Sequence, residues 1–172
     1  DGTYAAICGI SEEEMLTQMD NDLDLLAARI GMSREEALAE LKNNYDGYHF
    51  TWPSPDIYNP FSLLNAFADG KMDSYWFGSG TPTYLIEMLN KYHVIPQQIG
   101  GRKALAESFD APTERITNIT PLLYQSGYIT IKGYSPITHL YSLDIPNKEV
   151  RMGLMKSLLP GYLHQYTMDG LT

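Results

Sequence analysis

The residues best suited to acid–base chemistry fall in one short stretch, Tyr45-Asp46-Gly47-Tyr48, which continues into His49-Phe50. A carboxyl group beside two phenols has the parts of a proton relay. Asp-Gly also sets a tight turn that the glycine completes, and this is the stronger of the two readings. The alternating aromatics around it suit a strand or hairpin. With 13 Tyr in the chain, such rings line a ligand groove or, more often, supply core area with a polar tip at its edge. A second candidate is Gly80-Thr81-Pro82. There the proline fixes the start of a helix, the glycine lets backbone come close to a ligand, and the first-turn N–H groups face outward.

Other chemistries are missing from the sequence. It has no Gly-x-x-x-x-Gly-Lys-Ser/Thr loop, no His-Glu-x-x-His, no nucleophile elbow and no Gly-x-Gly-x-x-Gly. His49, His93, His139 and His164 lie far apart without ligand spacing, so no metal site is expected. Cys8 is the single cysteine, which excludes an internal disulfide, and its apolar neighbours mark it as a small buried hydrophobe. The acidic runs Glu12-Glu13-Glu14 and Glu35-Glu36 each fall in a helix first turn, where the helix dipole accounts for them. The net charge of −9, with Lys and Arg scattered, gives no footprint for strong autonomous DNA binding.

The elements that carry these residues can be read from caps and periodicity. Ser11 with Glu14, and Ser33 with Glu36, are capping boxes that open two helices, the first running to Gly31. Together they predict a helical hairpin. Asn59-Pro60 is a cap followed by a first-turn proline, so a helix should run to about Asp69 and stop at Gly70. Tyr75 to Phe77 reads as a short extended run, and Thr81-Pro82 opens a helix through Leu89. Residues 94–114 are mixed, with Pro96, Gly100-Gly101 and Pro112 marking loops. A helix over 119–126, strands over 128–132 and 139–143, and a final helix from Glu149 to about Gln165 then form the plan of a winged helix. The fold class expected is α+β, mainly helical: a lid-like helical part with an aromatic-rich hairpin over 1–92, then a winged-helix-like part over 93–172. With 44% hydrophobic and 19% charged residues the chain fits an ordinary globular protein, and no apolar run is long enough to span a bilayer. No basic-then-apolar start marks a signal peptide, a cytoplasmic setting is expected, and a chain starting at Asp1 is expected to continue something upstream.

Several blocks, in order, carry a resemblance. They are Ile7 to Glu14, Tyr45 to Phe50, Tyr58 to Phe67, Tyr75-Trp76-Phe77 with Ser79 to Pro82, Leu123 to Tyr134, and Pro146 to Arg151. Together they resemble the C-terminal half of the predicted AAA-ATPase-like family of bacterial proteins, whose members often continue into a PD-(D/E)XK nuclease-like domain. The resemblance implies a P-loop core upstream, with ATP and Mg as its cofactors, and a nuclease-like domain downstream, both as partners within one longer chain. It implies no cofactor and no catalysis for these residues alone, since phosphoryl transfer needs the phosphate cradle and the magnesium-holding acid. It also implies that Gly80-Thr81-Pro82 is similar to the Gly-x-Pro motif that places a lid helix near the nucleotide base. The expected role is a regulatory lid and winged helix. The alternatives are a nucleic-acid-binding winged helix and a protein-interaction domain that uses the Tyr and Trp of residues 45–77.

Overall fold

The computed structural model describes residues 9–77, 81–110 and 118–169, with side chains described through residue 158. Gly80 and Cys8 lie outside the described residues. The fold is α+β, with helices predominating and two small antiparallel sheets. The chain divides into two compact units, one of residues Asp1–Gly78 with Pro146–Glu149, the other of Ser79–Ile145 with Val150–Thr172.

In the first unit, β1 (Ile10–Ser11) leads into α1 (Glu12–Gln18), α2 (Asp20–Ile30) and α3 (Arg34–Tyr45), followed by β2 (Ile57–Tyr58) and α4 (Pro60–Asp69). Both capping boxes form: Ser11 and Ser33 accept from the N–H of Glu14 and Glu36, whose side chains reach back to the cap. The single long first helix expected from the periodicity is instead two. Met19 leaves helical geometry at φ −123°, ψ 27°, and Asp20 with Asp22 supplies a new acidic first turn. Gly31 and Gly70 end their helices in the left-handed conformation. Asn59 caps α4 by accepting from the Ser62 N–H, as its place before Pro60 requires. The apolar faces of the helices bury Met15, Leu23, Leu26, Leu41, Tyr45 and Leu63 in one cluster. β1 pairs with β2 through Ile10 opposite Tyr58, and Gly9 permits this approach, since a Cβ there would lie 1.6 Å from Ile57 Cγ2.

The second unit holds α5 (Thr83–Lys91), a 3₁₀ turn at Pro96–Gln98, β3 (Arg102–Ala104), α6 (Ala106–Phe109), α7 (Thr120–Gln125), β4 (Thr130–Tyr134) and β5 (Tyr141–Asp144). The last helix, α8 (Lys148–Asp169), begins in the first unit and continues in the second. The sheet order is β3-β5-β4, antiparallel throughout. Among the described residues this unit runs helix, strand, two helices and a hairpin whose second strand pairs centrally. β3 is not legible in the sequence, where its residues sit inside a stretch of mixed character next to Gly100-Gly101. The hairpin strands begin about two residues later than the sequence suggests, and a bulge between Ile131 and Gly133 interrupts the register of β4. Phe109 is packed edge-on by Tyr124 at 4.8 Å and Tyr141 at 5.4 Å, joining two helices to the sheet.

Candidate functional site

The stretch Tyr45 to Tyr48 closes α3 and turns the chain toward β2. Tyr45 is the last helical residue and fully buried. Its hydroxyl donates to the Asp73 carbonyl at 2.6 Å and accepts from the Asp73 N–H at 2.9 Å. Burial raises its pKa further above the ordinary phenol value, so it acts as a fixed strut rather than a proton donor. Asp46 caps the helix C-terminus, its N–H donating to the Lys42 carbonyl. Gly47 takes φ +97°, a conformation that glycine adopts without steric cost. Tyr48 then exchanges backbone hydrogen bonds with Ile57, both 3.1 Å, which closes a hairpin-like loop.

Asp46 is the unusual member. Its side chain is 2% exposed, and its carboxylate oxygens form no well-aligned hydrogen bond, the neighbouring Gly47 N–H being the donor that acts on them. Burial pushes its carboxyl up to about 6. The Gly47 N–H and Lys42 pull it back, while Asp56 and Glu12 push it higher. The buried Tyr58 hydroxyl has no partner, and its pKa is raised by burial and by Asp46. A neutral acid at the edge of an apolar core is chemically poised to exchange a proton near neutrality.

Glu149 is a second buried carboxylate, found only in the structure. Ser62 Oγ donates to it at 2.7 Å, and the N–H groups of Tyr75 and Trp76 donate at 2.7 and 3.1 Å. The short extended run expected over 75–77 is therefore a loop whose backbone is held by a side chain. Burial raises the Glu149 pKa, and its three donors oppose that. The sequence signal was slight: an acid in the first turn of an amphipathic helix, ordinarily read as solvated.

A third cluster braces the loop between Tyr48 and Ile57. His49 is buried, with Ser54 Oγ 2.9 Å from Nδ1, Asp56 Oδ1 against Nε2, and Trp52 edge-on at 4.9 Å. The residue types are those of a nucleophilic triad, yet the Ser54 hydroxyl donates to the Thr51 carbonyl at 2.8 Å. A nucleophile needs its proton on the imidazole instead. The set holds the loop in place. Among the described residues no group of three or more His, Cys, Asp or Glu could hold a metal ion.

Of the second sequence candidate, Thr81 and Pro82 are described. Helix α5 starts at Thr83, with Pro82 as its cap, one residue later than its sequence pattern suggested. Thr81 is buried and its N–H donates to Ser157 Oγ at 3.0 Å, while that hydroxyl donates to the Gly153 carbonyl. The first bonds within α5 run from Leu85 and Ile86 to the Pro82 carbonyl. The N–H groups of Thr83 and Tyr84 therefore stand ahead of the helix's own ladder.

No family profile matches the chain, and no solved structure matches it. A protein from Azotobacter chroococcum mcd 1, described as an uncharacterized protein in the vnfD 5' region, is 33% identical over 171 residues, 95% of this chain. The chain spans about 30% of that relative's length.

Proposed function

We propose that this chain is a non-catalytic regulatory part, a lid and a winged helix, of an AAA-ATPase-like nucleotide-dependent switch protein with ATP and Mg bound by its core and a nuclease-like domain beyond. What supports the reading is the second unit, where a helix capped by Pro82 precedes helices and a β3-β5-β4 sheet in an order that a winged helix would have. The similarity to a bacterial protein of more than three times the aligned length agrees with a role inside a larger chain. Such a part responds to nucleotide state through a two-state packing change rather than by chemistry of its own. The purified chain should show no ATP turnover and little nucleotide binding. ATP hydrolysis that co-purifies with the chain through successive columns would overturn the proposal.

Nucleic-acid reading by the winged helix is not favoured. The second unit carries 7 Lys and Arg against 6 Asp and Glu, a net +1 in the sequence. α7, placed as a recognition helix would be, has neither Lys nor Arg and buries Thr120, Pro121 and Leu123. Arg102, partly buried, donates to Thr120 Oγ1 at 3.1 Å and so serves the fold. A salt-dependent gel shift on duplex DNA would restore this reading.

A protein-interaction role is favoured by one observation. Trp76 is 53% exposed and meets Phe61, 49% exposed, edge-on at 5.6 Å, with Leu64 also exposed one turn along α4. Exposed aromatic anchors of this kind are typical of docking surfaces. Replacing both Phe61 and Trp76 by serine should abolish any self-association or domain docking while leaving the fold intact. Unchanged association would remove the reading.

A further inference from the structure

We infer that the second unit holds a binding site for a small monocarboxylic acid with an apolar body, set between α8 and the 3₁₀ turn at Pro96–Gln98. A cavity of about 180 Å³ lies there, and every residue lining it belongs to that unit. Pockets for drug-sized ligands start near roughly 300 Å³, whereas a cavity of about 150 Å³ takes up benzene. The space therefore suits a body the size of one six-membered ring.

The walls follow from local structure. α8 lines the cavity with Arg151, Leu154 and Met155, the i, i+3 and i+4 positions of one helix face. The 3₁₀ turn contributes Pro96 and Gln97. It is held by Gln98, whose N–H donates to the Ile95 carbonyl and whose side chain accepts from the Ile95 N–H at 3.2 Å. Ile99, fully buried, anchors the end of that turn. Ile145 adds a further apolar surface, so the interior of the cavity is mostly hydrocarbon.

Two polar side chains give the site its chemistry. Arg151 and Gln97 are both exposed, and neither makes a side-chain hydrogen bond or ion pair among the described residues. A guanidinium takes a carboxylate through two parallel hydrogen bonds, and the Gln97 amide adds a further donor. One carboxylate of the protein limits the charge of the ligand. Gly100 lines the cavity so close to Asp144 that a Cβ there would lie 2.3 Å from Oδ1. That oxygen accepts from the Ile145 N–H at 2.8 Å, and Asp144 forms no ion pair with Arg151. A second negative charge carried toward Gly100 would meet it, which favours a monoanion.

The test is a titration of the intact chain with benzoate, read by calorimetry and by the methyl signals of Ile145, Leu154 and Met155. Benzoate should bind with a dissociation constant on the order of 1 mM and shift the three methyls together. Benzyl alcohol keeps the ring without the charge, and acetate the charge without the ring; each should bind about tenfold more weakly or worse. Terephthalate, with a second carboxylate at the far end of the ring, should also bind more weakly than benzoate. Arg151→Gln, at an exposed position without a partner, should keep the fold, lose about tenfold in benzoate affinity and leave benzyl alcohol unchanged. The inference is overturned by benzyl alcohol binding as tightly as benzoate, or by full benzoate affinity in Arg151→Gln. Methyl signals that stay unmoved at roughly ten times the expected dissociation constant overturn it as well.

Discussion

Two carboxylates of the first unit are buried to almost the same degree, Asp46 at 2% and Glu149 at 3% exposure, yet their surroundings are opposite. Glu149 collects three donors, two of them backbone N–H groups of a loop that has no other regular structure. Asp46 has only the Gly47 N–H of its own turn, in poor alignment. Burial raises both pKa values. What differs is whether the ionised form has been given hydrogen bonds, which decides whether the group fixes structure or answers to pH. Glu149 organises Tyr75 and Trp76 around a charge. Asp46 is at ease only without one.

The largest effect should come from breaking the satisfied site. Glu149→Ala leaves the Ser62 hydroxyl and two N–H groups without their acceptor, at a cost of roughly 3–5 kcal/mol. Chemical denaturation at pH 7 checks this, and a loss below about 1 kcal/mol would mean that the loop holds itself. The second effect has the opposite sign. The pKa of Asp46 is raised in the folded chain, so the folded state binds more protons between its ordinary value, 3.8, and about 6. Stability from this group is therefore full at low pH and declines as pH rises through that window. Asp46→Asn removes the decline and should stabilise the protein at pH 7.5 by roughly 2–3 kcal/mol, with little change at pH 3. Denaturant midpoints at the two pH values report the difference. The smallest effect belongs to the exposed neighbour of the Glu149 loop. Trp76→Ser keeps the N–H that Glu149 binds and should change stability by less than about 1 kcal/mol. A larger loss would place the indole, rather than the backbone, at the centre of that site.

The same contrast explains what could be read from sequence. Helix boundaries were legible where local chemistry sets them: Ser11, Ser33 and Asn59 cap as their spacing requires, and Gly31 and Gly70 stop their helices. The break at Met19 was not, because its periodicity continues through it and only the backbone departs. The short strand β3 carries Arg102 and Lys103 in three residues, too few for an alternating pattern, and becomes a strand through pairing with β5. The stretch Tyr45 to Tyr48 could be singled out by its residue types, and the structure brings it beside Asp56 and Tyr58. Its partner Asn147 stands 101 positions away, and Ser62 stands 87 from Glu149. Contacts across such separations leave no periodicity to find. The His49, Ser54 and Asp56 brace was visible only as three polar residues in a proline-rich loop.

The contrast between the two acids is tested most directly by a carbon-detected NMR titration of the side-chain carboxyls in the intact chain. The account predicts that Asp46 titrates with a midpoint near 6 and that the Asn147 side-chain amide shifts with the same midpoint. An Asp46 midpoint near 4, or an Asn147 amide that ignores it, would contradict the account.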